Sequence, residues 1–257
     1  MTLKLQREKA ETVLHRGLSL GLLFVRFSIE FGIKGRGLIE SSDLTTVEQI
    51  GHVVNSSAKI RNSLTPKELK LLTGTPIGGW DETTITQASW YSESCGCLLW
   101  AADKLAEFPR YDNPFHLLLL NTYFNKNIMN IQRWAIPFSH HTANFREIPE
   151  ILYEKKRSEL VFQRCVYANE IRNKGRQVPL ESYEDIFHFS SVGIPIGSSG
   201  DIVVGRGEFC DLCAADERTL FTISLCRSHA LTWALNSDVE WDTIDLDYLY
   251  KFSPHSA

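Results

Sequence analysis

The sequence predicts a mainly α-helical protein, a single helical domain over residues 1–257 with a small β-hairpin near its C-terminus. Three observations lead to this fold class. Helix start and stop signals recur along most of the chain, apolar residues follow them at helical spacing, and strand-type sequence is confined to a short stretch after about residue 190. The composition, with 43% hydrophobic and 23% charged residues, is typical of a soluble globular protein.

The helices can be placed in order from these signals. Thr45 and Glu48 form a capping-box pattern ahead of apolar residues at helical spacing. Pro66 suits the first position of the next helix, where its missing N–H has no partner to lose. Gly175 is a natural end for a long helix that starts near residue 147. Helices are therefore expected at about 45–58, 66–73, 84–107, 114–120, 147–173 and 216–235.

A short hairpin is expected before the last helix. The β-branched run at 201–204 predicts a strand, the Gly-containing turn at 205–207 reverses the chain, and Glu208–Phe209 can return as the partner strand. The hairpin and the last helix together span residues 193–235. This segment also carries the candidate zinc site.

Cys210, Cys213, Cys226 and His229 form a C-x2-C pair and a C-x2-H pair, separated by twelve residues. Paired Cys and His ligands at such spacing are typical of zinc, which takes four of them in a tetrahedron at structural sites. Cys226 and His229 are three residues apart in a predicted helix and therefore share a face. The motif predicts a structural zinc, because four protein ligands leave no open position for catalysis.

Two other interpretations of these cysteines stay open at this point. Free cysteine is often a small buried core residue, which is also what we expect of Cys95, Cys97 and Cys165. A C-x2-C pair can instead be a redox dithiol, although the β-α-β context typical of that role does not surround this pair. The metal content of the purified protein separates the zinc site from both alternatives.

Charge and apolar patterning limit the partners. The chain has 27 Lys and Arg against 31 Asp and Glu, a net charge of −4, which argues against a nucleic-acid-binding surface. The longest apolar stretch, residues 17–33, is interrupted by Arg26 and Glu30, and the first sixteen residues carry charges where a secretory signal has an apolar core. We therefore expect a cytoplasmic protein with neither a membrane nor a nucleic-acid partner.

Three separated stretches carry a family resemblance. Residues 88–94 spell Ala-Ser-Trp-Tyr-Ser-Glu-Ser and run into Leu-Leu-Trp-Ala at 98–101; residues 227–233 spell Arg-Ser-His-Ala-Leu-Thr-Trp; Trp241-Asp242 is followed by two further Asp residues. In these stretches the chain resembles the bacterial domain-of-unknown-function family 4272. The resemblance implies a cytoplasmic, mainly helical domain, and it implies no reaction.

The chain departs from the family pattern around residue 227. Cys226 stands where the family has Glu and Ser228 where it has His, while Arg227 keeps its type. His229 is therefore not the family's His. We interpret the Cys/His cluster as an addition in this member or its close relatives.

Glu93 is a further candidate site residue. It shares a predicted helix face with Trp90 and Cys97, where a buried carboxylate needs a partner. Arg146 or Arg227 can supply one. The group is then either a buried ion pair that fixes helix packing or a small pocket with a charged floor.

These observations favour a non-enzymatic binding protein with a structural zinc, whose partner is an unknown protein or a small ligand. The alternative is a hydrolase or transferase that uses a Glu/Arg pocket around Glu93. The environment of Glu93 discriminates between them: an enzyme needs it open to a cleft, whereas a structural residue is enclosed in the core.

Overall fold

The computed structural model describes residues 3–115, 143–175 and 182–247, together with positions 120 and 131. The described part is mainly α-helical, which confirms the predicted fold class. Its helices are α1 (Leu3–Arg36), α2 (Ser41–Ser56), α3 (Ala58–Asn62), α4 (Pro66–Leu69), α5 (Glu82–Ala88), α6 (Tyr91–Ala101), α7 (Ile148–Lys174), α8 (Tyr183–Phe187) and α9 (Ala214–Leu235). A π-helical turn, Lys70–Gly74, follows α4, and 3-10 turns lie at Phe189–Val192, Phe209–Asp211 and Trp241–Thr243.

Several predicted boundaries are confirmed. Thr65 caps α4 by accepting the N–H of Glu68 at 3.3 Å, while the Glu68 carboxylate accepts the N–H of Thr65 at 2.8 Å. Gly175 follows α7 in the left-handed conformation at φ +64°, which glycine adopts readily. The hairpin forms as strands β1 (Val203–Val204) and β2 (Gly207–Glu208), which pair antiparallel.

Other boundaries differ from the prediction. Helix α2 begins before Thr45, because Glu40 and Asp43 provide the capping box. The helix expected at 84–107 is wrong: the chain turns at Ser89–Trp90 between α5 and α6, and α6 ends at Ala101, shortly before Asp103 adopts φ +56°. The helix expected at 114–120 lies outside the described residues except at positions 114, 115 and 120.

The chain divides into two compact units. The first comprises residues 1–108, 115–146 and 236–242, and the second comprises residues 109–114, 147–235 and 243–257. Each unit is assembled from separate stretches of sequence, so the division does not follow one boundary along the chain. The single domain expected over residues 1–257 stays a prediction.

Helix α1 is the core helix of the first unit. It packs along α6 and also contacts α2, α3 and α5. By length and composition, Gln6–Arg36 is apolar enough to cross a membrane, but 78% of its most apolar window is buried inside the protein. Core helices of soluble proteins and signal sequences meet the same criteria, so the cytoplasmic location stays a prediction.

Charged residues inside α1 are neutralised by buried partners. Arg16 pairs with Glu68 through two contacts of 2.6 and 2.7 Å. Arg26 and Glu30 are one helical turn apart within α1 and form an ion pair, with 2.6 Å between Nη2 of Arg26 and Oε1 of Glu30. All four side chains are almost completely buried. The charges that interrupt the apolar stretch of the sequence are therefore part of the core.

The second unit is built on α7 and α9. The ring centroids of Phe162 in α7 and Phe221 in α9 lie 4.8 Å apart. Ten residues later in α7, Arg172 binds Glu217, which comes four residues earlier in α9. The two helices therefore run side by side in opposite directions. The buried cluster beneath them includes residues of α7, α8, the hairpin segment and α9. This helix pair positions the candidate site.

Candidate functional site

The first two predicted zinc ligands lie on the surface. Cys210 is in the 3-10 turn after the hairpin, Cys213 directly precedes α9, and both are exposed. The Sγ atom of Cys213 is 3.2 Å from Oδ2 of Asp216, and Sγ of Cys210 is 3.7 Å from Oγ of Ser199. Their exposure excludes the core interpretation for this pair, whereas Cys95, Cys97 and Cys165 are buried as expected.

The other two predicted ligands lie well inside α9. At 1.5 Å per residue, the twelve positions from Ala214 to Cys226 of this uninterrupted helix span about 18 Å. His229 lies a further turn along. Because Zn–S bonds are about 2.3 Å long, this arrangement does not bring the two pairs to one ion. Within the described ranges, no group of three or more His, Cys, Asp or Glu side chains can hold a metal.

The zinc site stays a prediction, and metal analysis tests it. The sequence motif predicts about one zinc per chain after purification without chelator, and none in Cys213→Ser, whereas the separation of the two pairs along α9 predicts no shared ion. The same variant should loosen the hairpin segment against α9, because metal binding and local folding are coupled. A metal-free wild-type protein contradicts the prediction.

A groove opens between α7 and α9 near the end of α7 and the start of α9. Its volume is about 530 Å³. Cys165, Val166, Ala214 and Phe221 contribute apolar surface to it. Amide and charged side chains complete the lining: Asn169, Glu170, Arg172, Asn173, Glu217 and Arg218. The groove therefore combines apolar contact with several hydrogen-bonding groups.

Most charges along the groove are already paired. Nη2 of Arg172 contacts both carboxylate oxygens of Glu217, at 2.7 and 2.6 Å. Glu170 is buried and has interactions of its own. Arg218 is exposed and makes no side-chain hydrogen bond or ion pair within the part of the chain that the structure describes. Among the described residues, its exposed guanidinium group is therefore a positive charge that a ligand in the groove can reach.

The thiol in the groove is not an activated nucleophile. Burial raises the pKa of the Cys165 thiol far above its ordinary value, so it stays protonated at neutral pH. The described lining residues include no Ser, His or Lys. The thiol of Cys165 is therefore not suited to nucleophilic attack at neutral pH.

Comparison with known families decides the kinship of the chain. The model of the family described as Domain of unknown function (DUF4272) matches residues 45–186, just over half of the 257 residues. The chain belongs to this family. No curated protein and no solved structure matches it.

The DUF4272 match divides the candidate residues. Glu93 and the α7 side of the groove lie within residues 45–186, whereas α9 and the whole Cys/His motif lie beyond the matched range. The segments around Arg227 and Trp241 resemble the family pattern, but they lie outside the matched residues, so the family match does not cover them. The family description names no activity, so the function has to be argued from the site.

Glu93, within the DUF4272 range, is enclosed in the first unit. Its side chain is in the first turn of α6 and is 1% exposed. One carboxylate oxygen accepts the backbone N–H of Phe115 at 2.9 Å. Gly96, one turn along, leaves room for the Phe115 ring, with which a Cβ at that position would collide. This enclosure favours the structural interpretation of Glu93 over the pocket.

The two arginines proposed as partners of Glu93 have other contacts. Arg146 binds at the far end of α6, where it donates to the carbonyl oxygens of Trp100 and Leu105 at 3.1 and 2.8 Å. In the second unit, Arg227 is buried and donates to backbone carbonyls of the 109–113 loop. The pairing of Glu93 with an arginine stays a prediction.

We expect Glu93→Ala to lower the melting temperature clearly, because it leaves the buried N–H of Phe115 without its acceptor. A buried donor without an acceptor lowers the free energy of unfolding by about 1–3 kcal/mol. If Glu93 also pairs with an arginine, the loss of that ion pair adds to this cost. The matched control is Glu107→Ala, an exposed change in the same unit. An unchanged melting temperature together with lost ligand binding contradicts the structural interpretation.

Sequence reasoning missed the groove residues. Asn169, Arg172 and Arg218 look like ordinary polar residues on helix surfaces. Only the pairing of α7 with α9 brings them together, and the contacting residues Arg172 and Glu217 are 45 positions apart. The available signal was the opposite charge of these two side chains, which does not identify partners by itself.

Proposed function

We propose that this protein is a non-enzymatic binding module whose α7–α9 groove takes a small organic ligand with an apolar body and one anionic group. The groove itself is the observation that carries the proposal. Its volume of about 530 Å³ lies in the range of small-molecule sites, which combine apolar walls with a few polar groups. The site is contained within the second unit.

The charges of the groove support an anionic group on the ligand. The ion pair between Arg172 and Glu217 leaves little net charge, and the engaged Glu170 is buried. The guanidinium of Arg218 is left to bind a carboxylate, sulfonate or phosphate, for which its planar donors are suited. The amides of Asn169 and Asn173 can add neutral hydrogen bonds.

The apolar part of the lining supports a flat or compact hydrocarbon body. Phe221 and Val166 present ring and branched aliphatic surface, and Ala214 leaves space at the start of α9. Burial of such surface is the main source of affinity for small ligands. The structural zinc and the cytoplasmic location belong to the proposal on sequence grounds alone, and the groove requires neither.

Fluorescence titration with anilinonaphthalene sulfonate tests the proposal, because this dye joins apolar rings to a single sulfonate. We expect one dye molecule per native chain. Arg218→Gln should weaken binding about tenfold, since it removes one charge-assisted contact at an exposed rim. Arg206→Gln, an exposed arginine on the hairpin turn, is the matched control and should leave binding unchanged.

A second pair of variants tests the position of the dye. Ala214→Phe places a ring in the groove and should abolish binding, whereas Ala215→Phe, at an exposed neighbour outside the groove lining, should not. The proposal fails if the native chain binds no dye. It also fails if the two alanine variants behave alike while circular dichroism shows both to be folded.

A further inference from the structure

Cys210 and Cys213 form an exposed pair of thiols in the second unit. Both are free, whereas three of the other four cysteines are buried. The uninterrupted helix α9 carries Cys226 and His229 away from the pair. Neither thiol lines the groove between α7 and α9. The two thiols are therefore accessible to reagents in solution, and neither the core nor the groove explains them.

The backbone between the two cysteines brings them close together. Cys210 and Asp211 lie in a 3-10 turn, which the Leu212 N–H closes by donating to the carbonyl oxygen of Phe209 at 3.1 Å. Asp211 is therefore helical, whereas Leu212 is extended at φ −69° and ψ 141°. A helical residue followed by an extended one is the pattern of a type VIII β-turn, whose first and fourth Cα atoms lie within about 7 Å. Disulfides join Cα atoms about 4.4–6.8 Å apart, so this turn places Cys210 and Cys213 at about the separation that one requires.

Both thiols make surface contacts that a disulfide can replace. Sγ of Cys213 donates to Oδ2 of Asp216 at 3.2 Å, and Sγ of Cys210 lies 3.7 Å from Oγ of Ser199. Both contacts are exposed, so water can take the place of a thiol that turns away. The hydroxyl of Ser199 also donates to the Glu208 carboxylate and keeps that acceptor. Rotation of the two exposed side chains can therefore bring the sulfur atoms together without disturbing buried residues.

We propose that Cys210 and Cys213 form a reversible dithiol–disulfide site that reacts with small-molecule disulfides such as glutathione disulfide. The thiolate of one cysteine attacks the reagent, so the reagent S–S bond breaks, a mixed disulfide forms and one glutathione thiolate leaves. The thiolate of the other cysteine then attacks the protein sulfur of the mixed disulfide, forms the intrachain bond and releases the second glutathione thiolate. The protons of the two cysteines pass to the two released thiolates, so two protein thiols are oxidised while one small disulfide is reduced.

The exposure of the pair also makes the intrachain disulfide easy to reduce. Exposed disulfides are more readily reduced than buried structural ones, and they include the labile and regulatory ones. Cys213 directly precedes α9, so the bond ties the turn after the hairpin to the start of this helix. The site therefore responds to the ratio of reduced to oxidised small thiols and does not act as a permanent crosslink.

Thiol counting and intact mass after incubation with glutathione disulfide test this site. The reduced native chain should lose two of its six thiols and retain no glutathione, and peptide mapping should join Cys210 to Cys213. Excess reduced glutathione should restore all six. Cys210→Ser and Cys213→Ser should each keep one glutathione as a mixed disulfide, because the second thiol is missing. Cys226→Ser, at the half-buried cysteine of the same motif, is the matched control and should form the intrachain bond as the wild type does.

Three results overturn the inference. In the first, the wild-type chain carries glutathione on both cysteines and forms no intrachain bond, which puts the two sulfur atoms out of reach of each other. In the second, the native chain does not react at all. In the third, it reacts only after a chelator has removed a bound metal, which assigns the pair to a metal site. Circular dichroism checks that the serine variants are folded, and none of these results depends on ligand binding in the groove.

Discussion

Replacement of Asp201 by alanine should cost about 3–5 kcal/mol of unfolding free energy, because it strands a buried arginine. Arg164 and Asp201 are 2% and 0% exposed, and two hydrogen bonds of 3.0 and 2.7 Å join them. The guanidinium lies between two aromatic rings, 3.8 Å from the centroid of Tyr183 and 4.1 Å from that of Phe209. Without the carboxylate, the Arg164 guanidinium is left buried with neither of these two hydrogen bonds.

Denaturant unfolding followed by circular dichroism measures the loss. The control is Glu217→Ala, which breaks the Arg172 pair at a site where that arginine is about half exposed, and such pairs contribute about 0–1 kcal/mol. A joint change, Arg164→Met with Asp201→Leu, should recover most of the stability, because it removes both charges. Equal losses for Asp201→Ala and Glu217→Ala contradict the assignment.

Replacement of Glu68 by alanine should have an effect of similar size in the first unit. Its carboxylate makes two contacts with the buried Arg16, at 2.6 and 2.7 Å, and also caps α4. The Trp241 ring covers the same guanidinium at 4.3 Å from its centroid. The change leaves Arg16 with a carbonyl and a ring but no counter-charge, so we expect a loss of about 3–5 kcal/mol.

Tyr91 provides a separate readout of the same site. Burial, reinforced by the negative charge of Glu68, raises the pKa of Tyr91 to about 12. Glu68→Gln removes that charge, so the pKa should move down toward the ordinary value of 10, measured by the ultraviolet absorbance of tyrosinate. Glu82→Ala, at a side chain 93% exposed, should change neither stability nor this pKa. A Glu68 variant as stable as wild type contradicts the account.

Local signals in the sequence were sufficient for several elements. Pro66 at the start of α4, the glycine after α7 and the β-branched run before Gly205 each act over a few residues, and each forms as expected. The capping box expected at Thr45 and Glu48 does not start α2, because Glu40 and Asp43 provide that cap instead. The full length of α1 was not predicted. Arg26 and Glu30 interrupt its apolar pattern, and their burial depends on each other and on backbone partners nearly 50 positions away.

The candidate site was less predictable because it depends on the pairing of distant segments. The spacing of the C-x2-C and C-x2-H motifs suggests that their side chains meet at one metal ion. However, α9 begins at Ala214 and continues without a break past Cys226. A helix separates positions along its axis by a fixed rise, so sequence proximity did not become spatial proximity. The groove likewise exists only where α7 and α9 meet.

Hydrogen–deuterium exchange of the native chain, with and without saturating anilinonaphthalene sulfonate, tests the binding function most directly. The account predicts slower exchange confined to peptides covering residues 165–173 of α7 and 214–221 of α9. Arg218→Gln should remove this protection at the same dye concentration, and Arg206→Gln should not. Protection at residues 24–38 of α1 instead, or no change anywhere in the chain, contradicts the account.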